Sequence, residues 1–480
     1  MTDIGLNHIA GQWVEGGGGT IAVTDPATGE VVAQQALADA ADVDRAVAAA
    51  RACHGSGVLT DMRPLDRGRL VQRMADVFRA NADEIATLLT REQGKPLWEA
   101  RGEVENAAKY FEYFGNQAST VEGKSIPLGA GYLDFTLMEP YGVSAQIIPW
   151  NFPLEIAARS IACGIATGNA CVVKSSEMTP LSSSWFAKAG EAVGLPVGAL
   201  NVLSGYGHEA GAALAGHDDV DMIVFTGSVA TGRTIATAAA QSIIPCVLEL
   251  GGKSAAVVHP DADLDAFLAS VRKGIFTNAG QVCSAMSRVI VHEDVHDDVA
   301  DRIVALARSI SVGPGLERTA FGPNMGPMVS EVQRDRAVRM VAEAEAAGAT
   351  VASGGRPLNR PGAFMEPTVL TGVTPDMEIA REEVFGPVVS VMRWRDEDEA
   401  IRIANGTGYG LVAGVFTRDL DRAARAAGRL RAGQVFVNEW FAGGVETPFG
   451  GYGKSGYGRE KGREALWNYV QTKNVAIRVS

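Results

Sequence analysis

Between Gly142 and His259 short apolar runs (VSAQIIP, ACVVK, LNVLS, MIVF and IPCVLEL) alternate with segments of helical character beginning at Pro153, after Pro180, before Ala215 and after Ser228. Strands separated by helices of this length are joined by crossovers, so the segment predicts a mostly parallel sheet with helices on both faces. Such sheets bind ligands beyond the carboxyl ends of their strands. The residues that follow each run are therefore where chemistry is to be sought.

A second alternating region, from Lys253 to about Ala432, contains SAAVVH, RVIVHE, AFMEPTVL and VVSVMRW with helices between, and predicts a second α/β domain. Upstream, residues 9–33 read as short strands around four consecutive glycines, and 42–53, 63–94 and 103–119 read as three amphipathic helical stretches. Residues 123–141 are extended again and carry apolar residues, which suggests an arm that pairs with something else, such as another subunit. The terminal YVQTKNVAIRVS is a strand that could pair with this arm.

A chain of 480 residues suggests two or three domains, and 46% hydrophobic with 21% charged residues suits a folded chain with a large core. The net charge of −13, without a lysine or arginine stripe, makes nucleic acid and anionic membranes poor partners and favours a small molecule. The five cysteines have no CxxC pair and only Cys53 has a histidine beside it, so neither a disulfide scaffold nor a metal site is expected. Asp3 stands where a signal peptide carries positive charge, and no apolar run is long enough for a membrane helix. A cytoplasmic location is the expectation.

Chemistry-bearing residues lie at the strand ends. Lys174 is followed by Glu177, which reads either as two solvated charges or as a pair that grips ribose hydroxyls. Gly227 and Ser228 open a helix after MIVF, either a plain turn or a phosphate-facing helix end. Asn151, in PWNFP, is a helix cap or a side-chain donor to an oxyanion. Glu249 lies among apolar residues and glycines, where burial raises a carboxyl toward the range of a general base. Cys283, in GQVCSA, has small and nearly uncharged neighbours and is either an ordinary buried cysteine or a nucleophile.

PWNFP, Lys174 with Glu177, FTGS, LELGGK, GQVCSA, EEVFGP and PFGGYGKSG, in this order across nearly the whole chain, resemble the aldehyde dehydrogenase superfamily, nearest to bacterial non-acylating members of semialdehyde, aromatic-aldehyde and betaine-aldehyde type. The resemblance implies a Rossmann-like parallel-sheet NAD-binding domain (1–122 and 142–252), an α/β catalytic domain (253–440) and a β oligomerisation arm (123–141 and 466–480). It implies Cys283 as nucleophile, Glu249 as general base and Asn151 as oxyanion donor, with no metal. Lys174, Glu177, Gly227, Ser228, Trp150, Glu383 and Phe385 are implied in binding NAD, with NADP as a possible second cofactor and Ser175 departing from the family's usual proline. A homo-oligomer, dimer or dimer of dimers, is implied as well.

For the substrate, the resemblance puts Arg159 where relatives carry an arginine, as a clamp for a substrate carboxylate or as half of an i,i+4 pair with Glu155. Phe152, Trp440 and Phe441 are expected around the pocket. Two other readings compete with hydrolytic aldehyde oxidation. An acylating relative that passes the thioester to coenzyme A would usually lack Glu249. A non-redox cysteine hydrolase or acyltransferase would want a histidine base, and none of the seven histidines falls in these motifs.

Overall fold

The first alternating region forms the centre of an eight-stranded sheet in the order Gly456–Tyr457, Cys246–Glu249, Met222–Thr226, Val143–Ile147, Ala170–Ser175, Leu200–Ser204, Asn7–Ile9 and Gln12–Val14. Strands from Cys246–Glu249 through Leu200–Ser204 are parallel, and the outer ones pair antiparallel. The inner strands are buried along their whole length, as expected where both faces are covered. Pro153 and Pro180 each stand at a helix start, where a missing N–H costs nothing. The computed structural model describes residues 4–317 and 325–479, so Asp3 and the last position of the 466–480 segment lie outside the described residues.

The second region forms a seven-stranded sheet in the order Thr350–Ser353, Thr368–Thr371, Val388–Trp394, Arg288–His292, Ala255–Val258, Val412–Phe416 and Gln434–Val437. Only the Thr350–Ser353 edge strand is antiparallel to its neighbour. Its core is a separate cluster that includes Phe267, Met286, Ile290, Val391, Phe416 and Trp440. The register of Glu249 opposite Gly456 brings the C-terminal segment back onto the first sheet, beside the strand that carries Glu249.

The expected helices are present with one difference. The 63–94 stretch is two helices, Pro64–Ala80 and Ala82–Gln93, because Asn81 leaves the helical region at φ −116° and ψ 20°. Pro64–Ala80 and Leu97–Gln117 pack against Pro153–Thr167 through Val71, Phe78, Phe111, Phe114 and Ile161. The terminal strand Val470–Arg478 pairs antiparallel with Tyr132–Pro140, from Val470 opposite Pro140 to Arg478 opposite Tyr132. This ribbon exposes Tyr132, Leu133, Leu137 and Ile477, and Leu128 just before it is exposed as well. No helix among the described residues is long and apolar enough to cross a membrane, and those residues hold no cluster of three or more His, Cys, Asp or Glu suited to a metal ion.

Candidate active site

Cys283 lies in the loop between the helix Leu264–Phe276 and the strand Arg288–His292. The loop begins with backbone that L residues rarely adopt, since Asn278 and Ala279 have φ of 49° and 51° and Gly280 has 71°. A Cβ on Gly280 would collide with the carbonyl of Gly386, so only glycine lets the EEVFGP loop approach this closely. Gly252 faces the Cys283 carbonyl in the same way. Three motifs far apart in sequence thus interlock around one thiol. Burial, with the Glu383 carboxylate nearby, pushes that thiol up to about 12, so at neutral pH it rests protonated.

Trp440 behaves differently from the expectation. It is fully buried, and its Nε1 donates to the Ser284 carbonyl at 3.1 Å. A large indole with one polar atom is most stable where its N–H finds a partner inside the core, so Trp440 braces the cysteine loop from behind rather than lining a pocket mouth. Phe441 is only partly buried, and it is held at a φ of 63°.

Asn151 is buried, and its Nδ2 donates to the Gln281 carbonyl, two residues before Cys283, at 3.0 Å. This fixes which end of the amide points to the loop and leaves its second N–H for another acceptor. Asn151 does not cap the next helix. Phe152 is the capping position and makes no side-chain bond there; Glu103, from the helix Leu97–Gln117, accepts from the N–H groups of Leu154 at 2.9 Å and Glu155 at 3.3 Å. The buried ammonium of Lys95 pairs with Glu103 and donates to the Asn151 carbonyl at 2.9 Å. Lys95 also lies 4.0 Å from the centre of the Phe152 ring. Neither Lys95 nor Glu103 stands out in the sequence, since Lys95 sits in a short Gly-Lys-Pro connection and Glu103 in a helix rich in other charges.

Glu249 is 2% exposed at the end of its strand, and burial holds its carboxyl well above the ordinary range. Neither carboxyl oxygen has a hydrogen-bond partner among the described residues. A buried acid with both oxygens free is what a proton acceptor for a transient substrate or water requires.

Arg159 does not pair with Glu155. It forms a buried ion pair with Glu460, and its Nη2 donates to the Thr226 hydroxyl at 3.3 Å. Glu155 instead accepts from Asn106 and from the Tyr110 hydroxyl, each at 3.3 Å. The buried carboxylate brought in by the C-terminal return offers Arg159 a stronger partner than a residue on its own helix. Ser160 also donates to Glu460, at 3.1 Å. The sequence reading passed over Glu460, the acid that closes the glycine-rich run GGYGKSGYGRE.

The remaining expected residues border the carboxyl ends of the first sheet. Ser228 is the exposed N-cap of the 14-residue helix Val229–Ser242 and accepts from the Thr231 N–H at 3.2 Å. The Gly227 N–H donates to the Glu249 carbonyl at 3.0 Å, which ties this helix start to the strand bearing the acid. Lys174 is buried and donates to the Gly205 carbonyl at 2.9 Å. Burial lowers its ammonium to about 8 while nearby Glu177 opposes the shift. An ammonium has three donors, so Lys174 keeps N–H groups for a ligand hydroxyl. Ser175 continues the strand, with its hydroxyl bonded to the Leu203 carbonyl at 3.1 Å.

Across the cleft, Glu383 accepts from the Gly252 N–H at 3.1 Å, and burial raises it to about 7. Trp150 and Phe385 meet edge to face at 5.3 Å. Phe385 has a φ of 58°, and Arg336 secures the turn before it by donating to the carbonyls of Glu383 and Val384 at 2.9 and 3.2 Å. An anion-facing helix end, a lysine and carboxylates for hydroxyls, and an aromatic wall suit a dinucleotide.

The profile of the aldehyde dehydrogenase family matches residues 13–475. An aldehyde dehydrogenase of Aspergillus niger is 42% identical over 473 residues, which is 98% of this chain and 94% of that protein. The mitochondrial benzaldehyde dehydrogenase of Antirrhinum majus is 41% identical over 470 residues, 97% of this chain and 88% of that protein. Among solved structures, the NAD+ complex of aldehyde dehydrogenase from Bacillus cereus superposes with a TM-score of 0.97 at 39% identity, covering 100% of this chain and 97% of that one.

Proposed function

We propose, for a chain that belongs to the aldehyde dehydrogenase family, that it oxidises an uncharged aldehyde to the carboxylic acid with NAD, through a thioester on Cys283 that water hydrolyses. The observation that carries this reading is the interlock of the Cys283 loop with Asn151 on one side and the Gly252 and Gly386 turns on the other. NAD, when bound, supplies the acceptor for the hydride.

In the first half-reaction Cys283 Sγ attacks the carbonyl carbon, and its proton passes to a base, for which Glu249 is the assigned residue. The developing oxyanion accepts from the free N–H of Asn151 and from the backbone N–H of Cys283. Collapse of this adduct expels hydride and leaves the acyl group on sulfur. Once Glu249 has released that first proton to solvent, it takes a proton from water, whose oxygen attacks the thioester carbon. The second tetrahedral adduct expels Sγ and releases the acid. Glu249 favours this route over transfer to coenzyme A, because an acid with two unpartnered oxygens is suited to activating water.

Charge balance supports an uncharged substrate. Arg159 is neutralised by Glu460, and burial lowers the Lys461 ammonium, so neither is a strong clamp for a substrate carboxylate. Phe152, Phe441 and Phe449 lie partly buried in the same region and suit an apolar or aromatic group. The Antirrhinum relative, named for benzaldehyde, agrees with this. Glu177 near Lys174 supports NAD over NADP through repulsion of a 2′-phosphate. The exposed apolar residues of the 123–141 ribbon support a homo-oligomer, and the acidic, cysteine-poor composition supports a cytoplasmic location.

Initial NADH production with benzaldehyde, a medium aliphatic aldehyde and succinic semialdehyde tests the substrate class. The uncharged aldehydes are expected to exceed succinic semialdehyde in kcat/KM by about tenfold or more, roughly 1.4 kcal/mol of transition-state binding. Preference for succinic semialdehyde would overturn the charge argument.

A further inference from the structure

Burying a lysine and a glutamate together is a costly way to stabilise a fold, since apolar residues of the same volume serve as well or better. The Lys95–Glu103 pair has side chains that are 0% and 1% exposed. What distinguishes it is where its remaining hydrogen bonds go. Lys95 Nζ donates to the Asn151 carbonyl at 2.9 Å, while the other oxygen of Glu103 accepts from the N–H groups of Leu154 and Glu155. The backbone from 151 to 155 is thus held at both ends by residues of another layer.

Gln93, two residues before Lys95, extends the same contact to the cysteine loop. Its Nε2 donates to Asn278 Oδ1 at 2.9 Å, and its Oε1 accepts from the Lys95 N–H at 3.0 Å. Asn278 Nδ2 in turn donates to the Asn151 carbonyl at 2.9 Å and to the Gln281 carbonyl at 3.3 Å. Both lone pairs of the Asn151 carbonyl are therefore occupied, and its side chain is tied to Gln281. Backbone and side chain of Asn151 are thus both anchored, the side chain to the loop that carries Cys283.

We propose that Lys95 and Gln93 are positioning residues that aim the Asn151 amide at the oxyanion formed on the Cys283 adduct. The proposal deepens the reading above and rests on its assignment of Asn151. Oxyanion donors act only when held within about half an ångström of the productive geometry, so a lost anchor should weaken catalysis more than binding.

The test is a double-mutant cycle on the full-length enzyme, measuring kcat and the KM for NAD of Lys95→Met and Gln93→Met, each alone and combined with Asn151→Ala. With Asn151 present, Lys95→Met is expected to lower kcat by about tenfold or more, with KM for NAD within about twofold. In the Asn151→Ala background the same substitution should change kcat by less than about threefold, because the residue it aims is gone. An equal fold loss in both backgrounds, or no loss at all, overturns the proposal. Gln93→Met leaves the buried ion pair intact and carries the same cycle if Lys95→Met does not fold. Unimpaired kcat in Asn151→Ala alone would instead overturn the oxyanion assignment, so the two failures are separable.

Discussion

Replacing Arg159 by methionine separates a structural cation from a substrate clamp. The Arg159 and Glu460 side chains are 6% and 1% exposed, and the arginine also donates to Thr226. Removing one member of such a pair leaves a buried charge without its partner, which costs about 3–5 kcal/mol. Glu460 keeps its bond from Ser160, and burial already holds its carboxyl above the ordinary value, so it can take up a proton instead. The expected loss is therefore near the lower end, about 3 kcal/mol. The double variant Arg159→Met/Glu460→Gln removes both charges and should recover all but about 1 kcal/mol. Urea unfolding followed by tryptophan fluorescence at fixed protein concentration measures both. An Arg159→Met enzyme that unfolds at the wild-type midpoint, and loses activity only on carboxylated aldehydes, would refute the structural reading and restore the clamp.

Glu177→Ser should raise NADP use relative to NAD by about tenfold, since it removes a carboxylate from the region assigned to the 2′-hydroxyl; an unchanged ratio of kcat/KM values would remove Glu177 from cofactor choice. With the Cys283 thiol raised to about 12, the thiolate fraction is small at neutral pH and grows with pH, so the rate of Cys283 alkylation by iodoacetamide in the absence of substrate should rise through pH 7 to 10 without a plateau. A plateau below pH 8 would contradict the raised value. Glu99 is raised by burial to about 7 while it accepts from the Asn278 N–H at 2.8 Å. Folding raises that carboxyl above its unfolded value, so its contribution to stability is full below about pH 4.5 and is lost as pH rises toward 7. Glu99→Gln should flatten that part of the stability profile, and an unaltered slope from pH 4.5 to 7 would contradict the assignment.

The parallel sheets were legible because their short, mostly apolar strands alternate with helical segments, a pattern that leaves few alternatives. The local strings around Cys283, Glu249 and Asn151 left an ordinary cysteine and a helix cap as open readings, and their assignment came from the order of seven motifs along the chain. Interactions between distant segments were not. Arg159 read either as a substrate clamp or as half of a helical-spacing pair with Glu155, yet its partner lies 301 residues away, delivered by an edge strand whose pairing has no local signature. Trp440 was expected around the pocket from the family resemblance, but its N–H found a carbonyl inside the core. Lys95 and Glu103 were hidden for a similar reason. In a one-dimensional pattern, charges in a helix or in the turn before one look solvated, and only packing reveals which of them face inward.

The central claim, that oxidation runs through an acyl group on Cys283 and that Glu249 directs its hydrolysis, is tested most directly with Glu249→Gln. Mixed rapidly with benzaldehyde and NAD, this variant is expected to give a burst of about one NADH per active site followed by turnover slowed by at least about a hundredfold. Acid-quenched protein, digested and weighed, should carry the benzoyl mass on the peptide containing Cys283. Steady turnover at the wild-type rate, with that peptide unmodified, would contradict the account.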